Sequence, residues 1–378
     1  MKRAASITAF PEARLWPKGG AGSGWLRSFA SMHESGRAAL YWALGGLALP
    51  PGTTAWMPSF HCGVEVDAAI AAGFEVRFYR VGLNLAVDEG DLRSRLALHP
   101  GPVLAIHYFG FPQPGLDRLG RLCREYGCTL IEDCAHALFS RDEAGRELGS
   151  HSPLAIYSLR KTLPVVDGGA LRAVGVPAAL PKLSRSAAGA YRVYLKTAAR
   201  RMIGEGLTSL YRSMRWRNDS APDPEERHAA RTGAASYRKP MSRISQMVAA
   251  ATEPSQVVRI RRENFLTLNY MLKGLPEYRP VWDKLPAGTC PLFLPVRVEN
   301  RAELMARMAT GGIETFRFGA SSPHRLDPND FPEAAALREG ILCLPVHQDL
   351  GANDIGLIAR TFREAVKTVY APQTVATS

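Results

Sequence analysis

Apolar positions in residues 34–180 follow two alternating patterns. Residues 103–107 and 129–132 are short apolar runs of the kind that form buried strands. Residues 116–126 lie between them and place Leu119, Leu122 and Cys123 on one face of a helix. This alternation predicts a parallel sheet whose strands are joined by crossover helices.

A different order of segments follows in the C-terminal part. Residues 253–275 have the pattern of one long helix, and the segments after it alternate between strand and helix: 291–298, 301–310, 341–344 and 353–369. We therefore expect an α/β chain with a large domain, residues 1–245, built on a mostly parallel sheet flanked by helices. We expect a smaller C-terminal α+β domain in residues 246–378. With 378 residues, 46% of them apolar, the chain is long enough to bury a large core and to form two unequal domains.

Composition narrows the class of protein. No apolar stretch approaches the roughly 20 residues needed to cross a bilayer. The basic N-terminus is not followed by the apolar run of a secretory signal. The six cysteines lack the paired spacing of zinc sites, so we expect no metal. These features favour a cytoplasmic protein.

Candidate chemistry lies where two predicted strands end. Asp133 closes one apolar run, and Lys161 follows the next and precedes Asp167-Gly168-Gly169. Taken singly, such a lysine is usually a surface residue and such an aspartate a turn or helix cap. In open α/β sheets, however, ligands collect at the carboxyl ends of the strands, where His107 also lies. A lysine that forms a Schiff base and an acid that keeps the pyridine nitrogen protonated are what a pyridoxal phosphate (PLP) enzyme requires.

Further motifs occur in the same order along residues 30–368: Ser35-Gly36-Arg37-Ala38-Ala39-Leu40, Pro58-Ser59-Phe60, His107-Tyr108-Phe109-Gly110, residues 293–298 and Leu344-Pro345-Val346-His347. Together with the segments around Asp133 and Lys161, they resemble the DegT-type family of PLP-dependent aminotransferases, which have the aspartate aminotransferase fold and serve nucleotide-sugar biosynthesis. The resemblance implies transfer of an amino group from an amino acid, expected to be glutamate, to a keto group of a nucleotide-linked sugar. It also implies a homodimer with sites at the interface, in which Lys161 shuttles protons and Asp133 faces the pyridine nitrogen.

The resemblance also assigns the phosphate and ring contacts. The turn at Ser35 and Gly36 opens a helix whose N–H groups suit a phosphate. Arg37 stands where the family usually has threonine, and it either pairs with the phosphate or faces solvent. Ser158, three residues before the lysine, is the hydroxyl partner of the phosphate. His136 occupies the position of the Gln or His that lies near the phenolic oxygen of the cofactor.

Two further positions depart from the family pattern. Cys62 stands where the family stacks an aromatic ring on the pyridine, and His61 beside it offers a stacking imidazole instead. Residues 236–242 match the segment that crosses the dimer to the phosphate, with Arg238 in place of asparagine. We expect Arg238 to supply a cation across the subunit boundary. These departures motivate an alternative function, a PLP-binding regulatory or membrane-associated protein that does not transaminate.

Residues 181–217 carry most of the excess charge of the chain. Nine lysines and arginines and one glutamate give this segment a net +8 of the total +12. Three interpretations stay open: the solvated face of packed helices, an amphipathic helix on an anionic membrane surface, or a steering surface for phosphate-bearing substrates. The second would place the protein at the periphery of the inner membrane face. Nucleic acid is not an expected partner, because no recognised motif accompanies the charge.

Overall fold

A computed structural model describes residues 7–13, 24–176, 237–319, 326–327 and 329–370. The basic segment 181–217 lies outside these ranges. Secondary-structure labels below number the described elements in chain order.

The larger sheet has seven strands in the order β1-β7-β6-β5-β4-β2-β3. They are β1 (Ser31–His33), β2 (Thr54–Pro58), β3 (Glu75–Tyr79), β4 (Val103–Ile106), β5 (Leu130–Asp133), β6 (Leu154–Ser158) and β7 (Gly169–Ala173). Strands β6, β5, β4, β2 and β3 pair in parallel, whereas β7 and β1 form an antiparallel edge. The predicted mostly parallel sheet is thus confirmed, and the antiparallel edge is an addition that the alternation did not predict.

Helices connect the parallel strands. They are α1 (Gly36–Gly45), α2 (Val64–Ala71), α3 (Glu89–Leu98), α4 (Leu116–Glu125) and the single turn α5 (Leu159–Thr162), with 3-10 turns at Gly24–Ser28 and Tyr108–Gly110. The helix predicted between the two apolar runs is α4, and its buried face contains Leu119, Leu122 and Cys123 as expected. All four residues of β4 are buried, because helices cover both faces of a parallel sheet.

The C-terminal part consists of helices and a small antiparallel sheet with the order β10-β9-β8. Its elements are α6 (Arg243–Ala250), α7 (Pro254–Leu272), β8 (Arg279–Pro280), β9 (Phe293–Arg297), α8 (Arg301–Thr310), α9 (Pro332–Gly340), β10 (Ile341–Pro345) and α10 (Ala352–Val369). The predicted long helix is α7, which begins at Pro254 after its N-cap Glu253. Helix α9 was not predicted. The boundary between residues 245 and 246 stays a prediction.

One apolar core continues from the large sheet into the small one. Phe265 and Leu268 of α7 belong to the same cluster of buried side chains as Ile106 of β4 and Leu294 of β9. Helix α7 therefore fixes the C-terminal sheet against the large one. Among the described residues, no helix is long and apolar enough to cross a membrane.

Candidate active site

Asp133 and Lys161 lie at the carboxyl edge of adjacent parallel strands. Asp133 is the last residue of β5 and pairs in register with Ile156 of β6. Helix α5, which carries Lys161, begins directly after β6 ends at Ser158. Both side chains are buried, with Asp133 4% and Lys161 8% exposed. The carboxylate Oδ1 of Asp133 accepts a hydrogen bond from the Ala135 N–H at 2.8 Å, which fixes its orientation.

His136 joins this pair through a short contact with the lysine. Its Nε2 atom lies 3.1 Å from Nζ of Lys161, and its Nδ1 atom accepts a hydrogen bond from the Phe109 N–H at 3.2 Å. Burial and the neighbouring Lys161 charge hold the pKa of His136 well below its usual value, so the ring is neutral. Because Nδ1 accepts the hydrogen bond from the Phe109 N–H, the neutral ring carries its proton on Nε2, which faces the lysine side chain.

The backbone that holds His136 is strained. Phe109 is not a glycine but has a φ of 56°, in the left-handed region that side chains with a Cβ seldom adopt. Its ring stacks on the imidazole of His136 with centroids 5.7 Å apart, and Phe318 meets the same imidazole edge-on at 5.0 Å. Such conformations persist only where the surroundings enforce them and are common at functional sites.

The start of α1 packs directly against the segment that carries the lysine. Ser35 is the N-cap, and its Oγ accepts from the Ala38 N–H at 3.2 Å. A Cβ placed on Gly36 would lie 3.2 Å from Cβ of Ser158, so the first turn of α1 and the end of β6 are in contact. Among the described residues, the N–H groups of Gly36 and Arg37 have no acceptor. Two free N–H donors beside a serine hydroxyl form a site suited to a phosphate.

The Gly-Gly pair after Lys161 makes this close packing possible. A Cβ on Gly169 would overlap the carbonyl oxygen of Ser35, and Gly168 has a φ of 141°. The Gly168 N–H donates to the carbonyl of Glu34 at 2.8 Å, and its carbonyl accepts from Leu159 N–H at 3.0 Å. Gly169 is therefore required by the close approach of Ser35, and Gly168 by its positive φ beside α5, the turn that carries Lys161 (the lysine turn).

The segment that contains Arg238 returns to the same region of its own chain. Tyr237 stacks on Tyr41 of α1 with ring centroids 5.0 Å apart, and its carbonyl accepts from Nε1 of Trp42. Ser242 donates to both carboxylate oxygens of Asp167, through its N–H and its Oγ. Arg238 itself is exposed. Its predicted role across a subunit boundary stays a prediction.

His61 and Cys62 follow β2 at the same edge of the sheet. The imidazole of His61 is fully buried, accepts from the Gly63 N–H at Nδ1 and stacks on Phe78 with centroids 5.2 Å apart. The thiol of Cys62 donates to the carboxylate of Glu65 at 3.0 Å. Burial alone would raise the pKa of Glu65, but the neighbouring His61, whose Nδ1 lies 3.8 Å away, and the hydrogen bond from Cys62 outweigh burial and lower it to about 2. One face of the His61 ring is thus covered by Phe78, and the ring-stacking assignment stays a prediction.

His107 and Glu132 form a buried pair that the sequence did not reveal. His107 lies at the carboxyl edge as expected, but its Nε2 donates to Oε2 of Glu132 at 3.0 Å and its Nδ1 accepts from the Gln113 N–H. The Glu132 carboxylate also accepts from Gly149, His151 and Ser152. The alternation of side chains along a strand could have revealed the pair, because it points Glu132 and Asp133 to opposite faces of the sheet. The pair fastens residues 149–152 to the sheet behind the site.

The fold, with a buried lysine just beyond a strand end, is that of the fold type I aminotransferases. Residues 27–173 match the model of the DegT/DnrJ/EryC1/StrS aminotransferase family.

Individual relatives are distant in sequence. A GDP-perosamine synthase of Vibrio cholerae is 27% identical over 143 residues, which are 37% of this chain and 38% of that protein. The matched part of this chain thus covers well under half of the length of that relative. Among solved structures, the aminotransferase TlmJ of Streptoalloteichus hindustanus is 22% identical with a TM-score of 0.65, covering 90% of this chain and 86% of that one. Spr1654 of Streptococcus pneumoniae in its PLP form is 15% identical with a TM-score of 0.66, covering 97% and 94%.

Proposed function

We propose that the protein is a PLP-dependent aminotransferase that moves an amino group from an amino acid, expected to be glutamate, to a keto group of a nucleotide-linked sugar. The observation that carries the proposal is the contact of Lys161 with neutral His136, beside Asp133 and next to the open start of α1. The GDP-perosamine synthase relative supports a nucleotide-linked sugar as the acceptor.

The residues present fit PLP. The free N–H groups of Gly36 and Arg37, with the hydroxyls of Ser35 and Ser158, would hold the phosphate. Asp133 would face the pyridine nitrogen, and the Nε2 proton of His136 would face the phenolic oxygen. His61 and Cys62 would line the ring. PLP supplies an electron sink that makes a proton on the amino-bearing carbon of the substrate removable.

The proposed tasks of the two central side chains follow from their surroundings. Lys161 is buried and tethered one residue before the end of α5, so its amine moves only by side-chain rotation and can take a proton at one carbon and return it at another. Asp133 is buried and its Oδ1 is oriented by the Ala135 N–H, so its carboxyl group is directed at one place. Both tasks need water to be kept out, which the burial of both side chains supports.

The visible spectrum of the purified holoprotein tests this function. Adding glutamate should remove the absorbance band of lysine-bound cofactor, and a keto-sugar nucleotide should restore it. Lys161→Ala should lack the covalent adduct trapped by borohydride, whereas Lys273→Ala, which changes an exposed lysine beyond α7, should retain it. A yellow protein that stays inert with every amino donor would support the alternative, a PLP-binding regulatory protein. A screen of keto-sugar nucleotides against amino donors then identifies the substrate pair.

We further propose a homodimer in which Arg238 serves the site of the partner. Mixed dimers test the proposal, because a Lys161→Ala protomer still supplies Arg238 and an Arg238→Ala protomer still supplies Lys161. Each variant alone should be inactive or weak, and co-expression should restore about one site per mixed dimer. Full activity of Arg238→Ala alone, or of a monomer in sedimentation, would contradict the proposal.

The charge of residues 181–217 supports a peripheral contact with anionic lipid at the inner membrane face. Each lysine or arginine near such a surface contributes on the order of 1 kcal/mol. Replacing Arg192, Lys196, Arg200 and Arg201 with glutamine should therefore release the protein from anionic vesicles and leave the spectrum of the cofactor unchanged. If the wild type does not bind vesicles, the solvated-face interpretation is favoured. Loss of cofactor in the variant would place these residues at the active site.

A further inference from the structure

The carbonyl of Thr162, directly after Lys161, is held by two side chains from distant parts of the chain. Thr162 ends α5, and the last carbonyls of a helix have no partner within it. Its oxygen accepts from Nη2 of Arg261 at 3.1 Å and from Nε2 of Gln348 at 2.8 Å. Arg261 also donates from Nε to Oε1 of Gln348 at 2.7 Å. The three groups thus form a closed ring of hydrogen bonds.

Arg261 is almost completely enclosed. It is 1% exposed, and its third nitrogen donates to the carbonyls of Pro291 and Leu292, just before β9, at 3.1 and 3.2 Å. Burial lowers the pKa of Arg261, but a guanidinium in a protein stays protonated, so a full positive charge lies at the end of α5. A positive charge is favoured at the C-terminal end of a helix, where the free carbonyls point.

The loop that carries Gln348, the second donor to Thr162, is held by the same helix, α7. Asn264 lies three residues after Arg261 on α7, and these two side chains share a face of the helix. Its Nδ2 contacts the carbonyls of Val346, His347 and Leu350, which flank Gln348. The loop that presents Gln348 is therefore held against α7 independently of Thr162.

We propose that Arg261 and Gln348 are positioning residues that set the place and basicity of the Lys161 amine by holding the carbonyl of Thr162. Neither residue belongs to the large sheet, since Arg261 is on α7 and Gln348 follows β10. The position of the lysine turn thus depends on how the small sheet packs against the large one. The inference rests on the proposed function only in naming Lys161 as the reactive amine.

The reactivity of Lys161 in the cofactor-free, full-length protein tests the proposal directly. The rate at which acetic anhydride labels Lys161 is followed by mass spectrometry as a function of pH. Gln348→Glu keeps an acceptor for Arg261 but has no N–H for Thr162, and Arg261→Lys keeps the charge but loses the planar fork. Each should change the labelling rate by about tenfold, or shift its pH midpoint by about one unit, as expected for one lost hydrogen bond.

Arg262→Lys is the matched control. Arg262 is the next residue on α7 and donates to the carbonyls of Pro286 and Thr289, but not to the lysine turn. Its labelling profile should stay within about twofold of the wild type, since no bond to Thr162 is lost.

Two results would overturn the proposal. In the first, the Arg261 and Gln348 variants are as stable as the wild type and keep its labelling profile. In the second, the Arg262 variant changes the labelling profile as much as they do. If Arg261→Lys does not fold, the partly exposed Gln348 still decides through Gln348→Glu. The labelling needs no cofactor or substrate, so its outcome is separate from that of the spectral test of the aminotransferase.

Discussion

The imidazole of His136 links the amine of Lys161 to the backbone N–H of Phe109. One ring nitrogen lies 3.1 Å from the lysine and the other 3.2 Å from the amide. Because the amide can only donate, Nδ1 is the acceptor, and a neutral ring carries its proton on Nε2. The proton on the side of the lysine is therefore set before any ligand arrives.

Nitrogen-15 NMR of histidine-labelled protein should show His136 as a neutral ring protonated at Nε2 from pH 5 to pH 8. Its pKa is held well below the usual value, first by burial and then by Lys161. The signal is assigned by its loss in His136→Gln. An imidazolium pattern at pH 6, or protonation at Nδ1, would contradict the arrangement.

Asp133→Asn should retain the fold and bind cofactor weakly, with turnover reduced by orders of magnitude. Asparagine keeps the oxygen that accepts from Ala135 N–H but loses the charge that stabilises a protonated pyridine nitrogen. Turnover and thermal unfolding are measured together, with Asp117→Asn on the surface of α4 as the control. Near-normal turnover would show that another acid does this task.

Gly169→Ala should destabilise the protein by about 1–3 kcal/mol and weaken cofactor binding, because the added Cβ would push Ser35 away from β7. Gly45, at the end of the same helix α1, has open space around its Cβ position. Gly45→Ala should stabilise the protein by roughly 0.5–1 kcal/mol without affecting the cofactor. Denaturant unfolding and cofactor titration measure both effects. Equal behaviour of the two variants would contradict the close packing of α1.

The protein should lose stability in mild acid partly through His33. Burial lowers the pKa of His33 to about 4, and its Nε2 already contacts Oγ of Ser31 at 2.7 Å. The unfolded chain takes up a proton near pH 6.5 and the folded chain does not. The free energy of unfolding therefore has its full value, as far as His33 is concerned, above pH 6.5. It falls by about 3 kcal/mol as the pH drops toward 4.

His33→Gln tests this contribution, because glutamine does not titrate. Its free energy of unfolding, measured in denaturant between pH 7 and pH 4, should fall less steeply than that of the wild type. Parallel curves would show that His33 is protonated in the folded protein.

Local sequence patterns were sufficient for most of the fold. Buried parallel strands are apolar on both faces, so β4 and β5 were visible as runs, and α4 was visible from the spacing of Leu119 and Leu122. Helix α9 was missed because the segment Pro332–Gly340 buries few residues on its inner face. The antiparallel pairing of β7 with β6 was missed because strand direction depends on the connection and not on the apolar pattern.

The same distinction between local patterns and long-range contacts applies to the candidate site. Asp133, Lys161 and Ser158 are placed by the ends of strands, which the sequence marks. The contacts of Thr162 with Arg261 and Gln348 join residues 99 and 186 positions apart, and no local pattern reports such pairs. Likewise, only the structure showed that the thiol of Cys62 and the ring of His61 are engaged with Glu65 and Phe78.

The donor that orients His136 belongs to the main chain, and every amino acid except proline would supply it at position 109. Proline is excluded there for a second reason, since its ring cannot adopt a φ of 56°. The protonation pattern at the lysine therefore depends on the main chain at position 109, whereas the Phe109 side chain packs on the imidazole. Removing the donor alone requires an ester in place of the amide, a change that only chemical synthesis or an expanded genetic code can introduce.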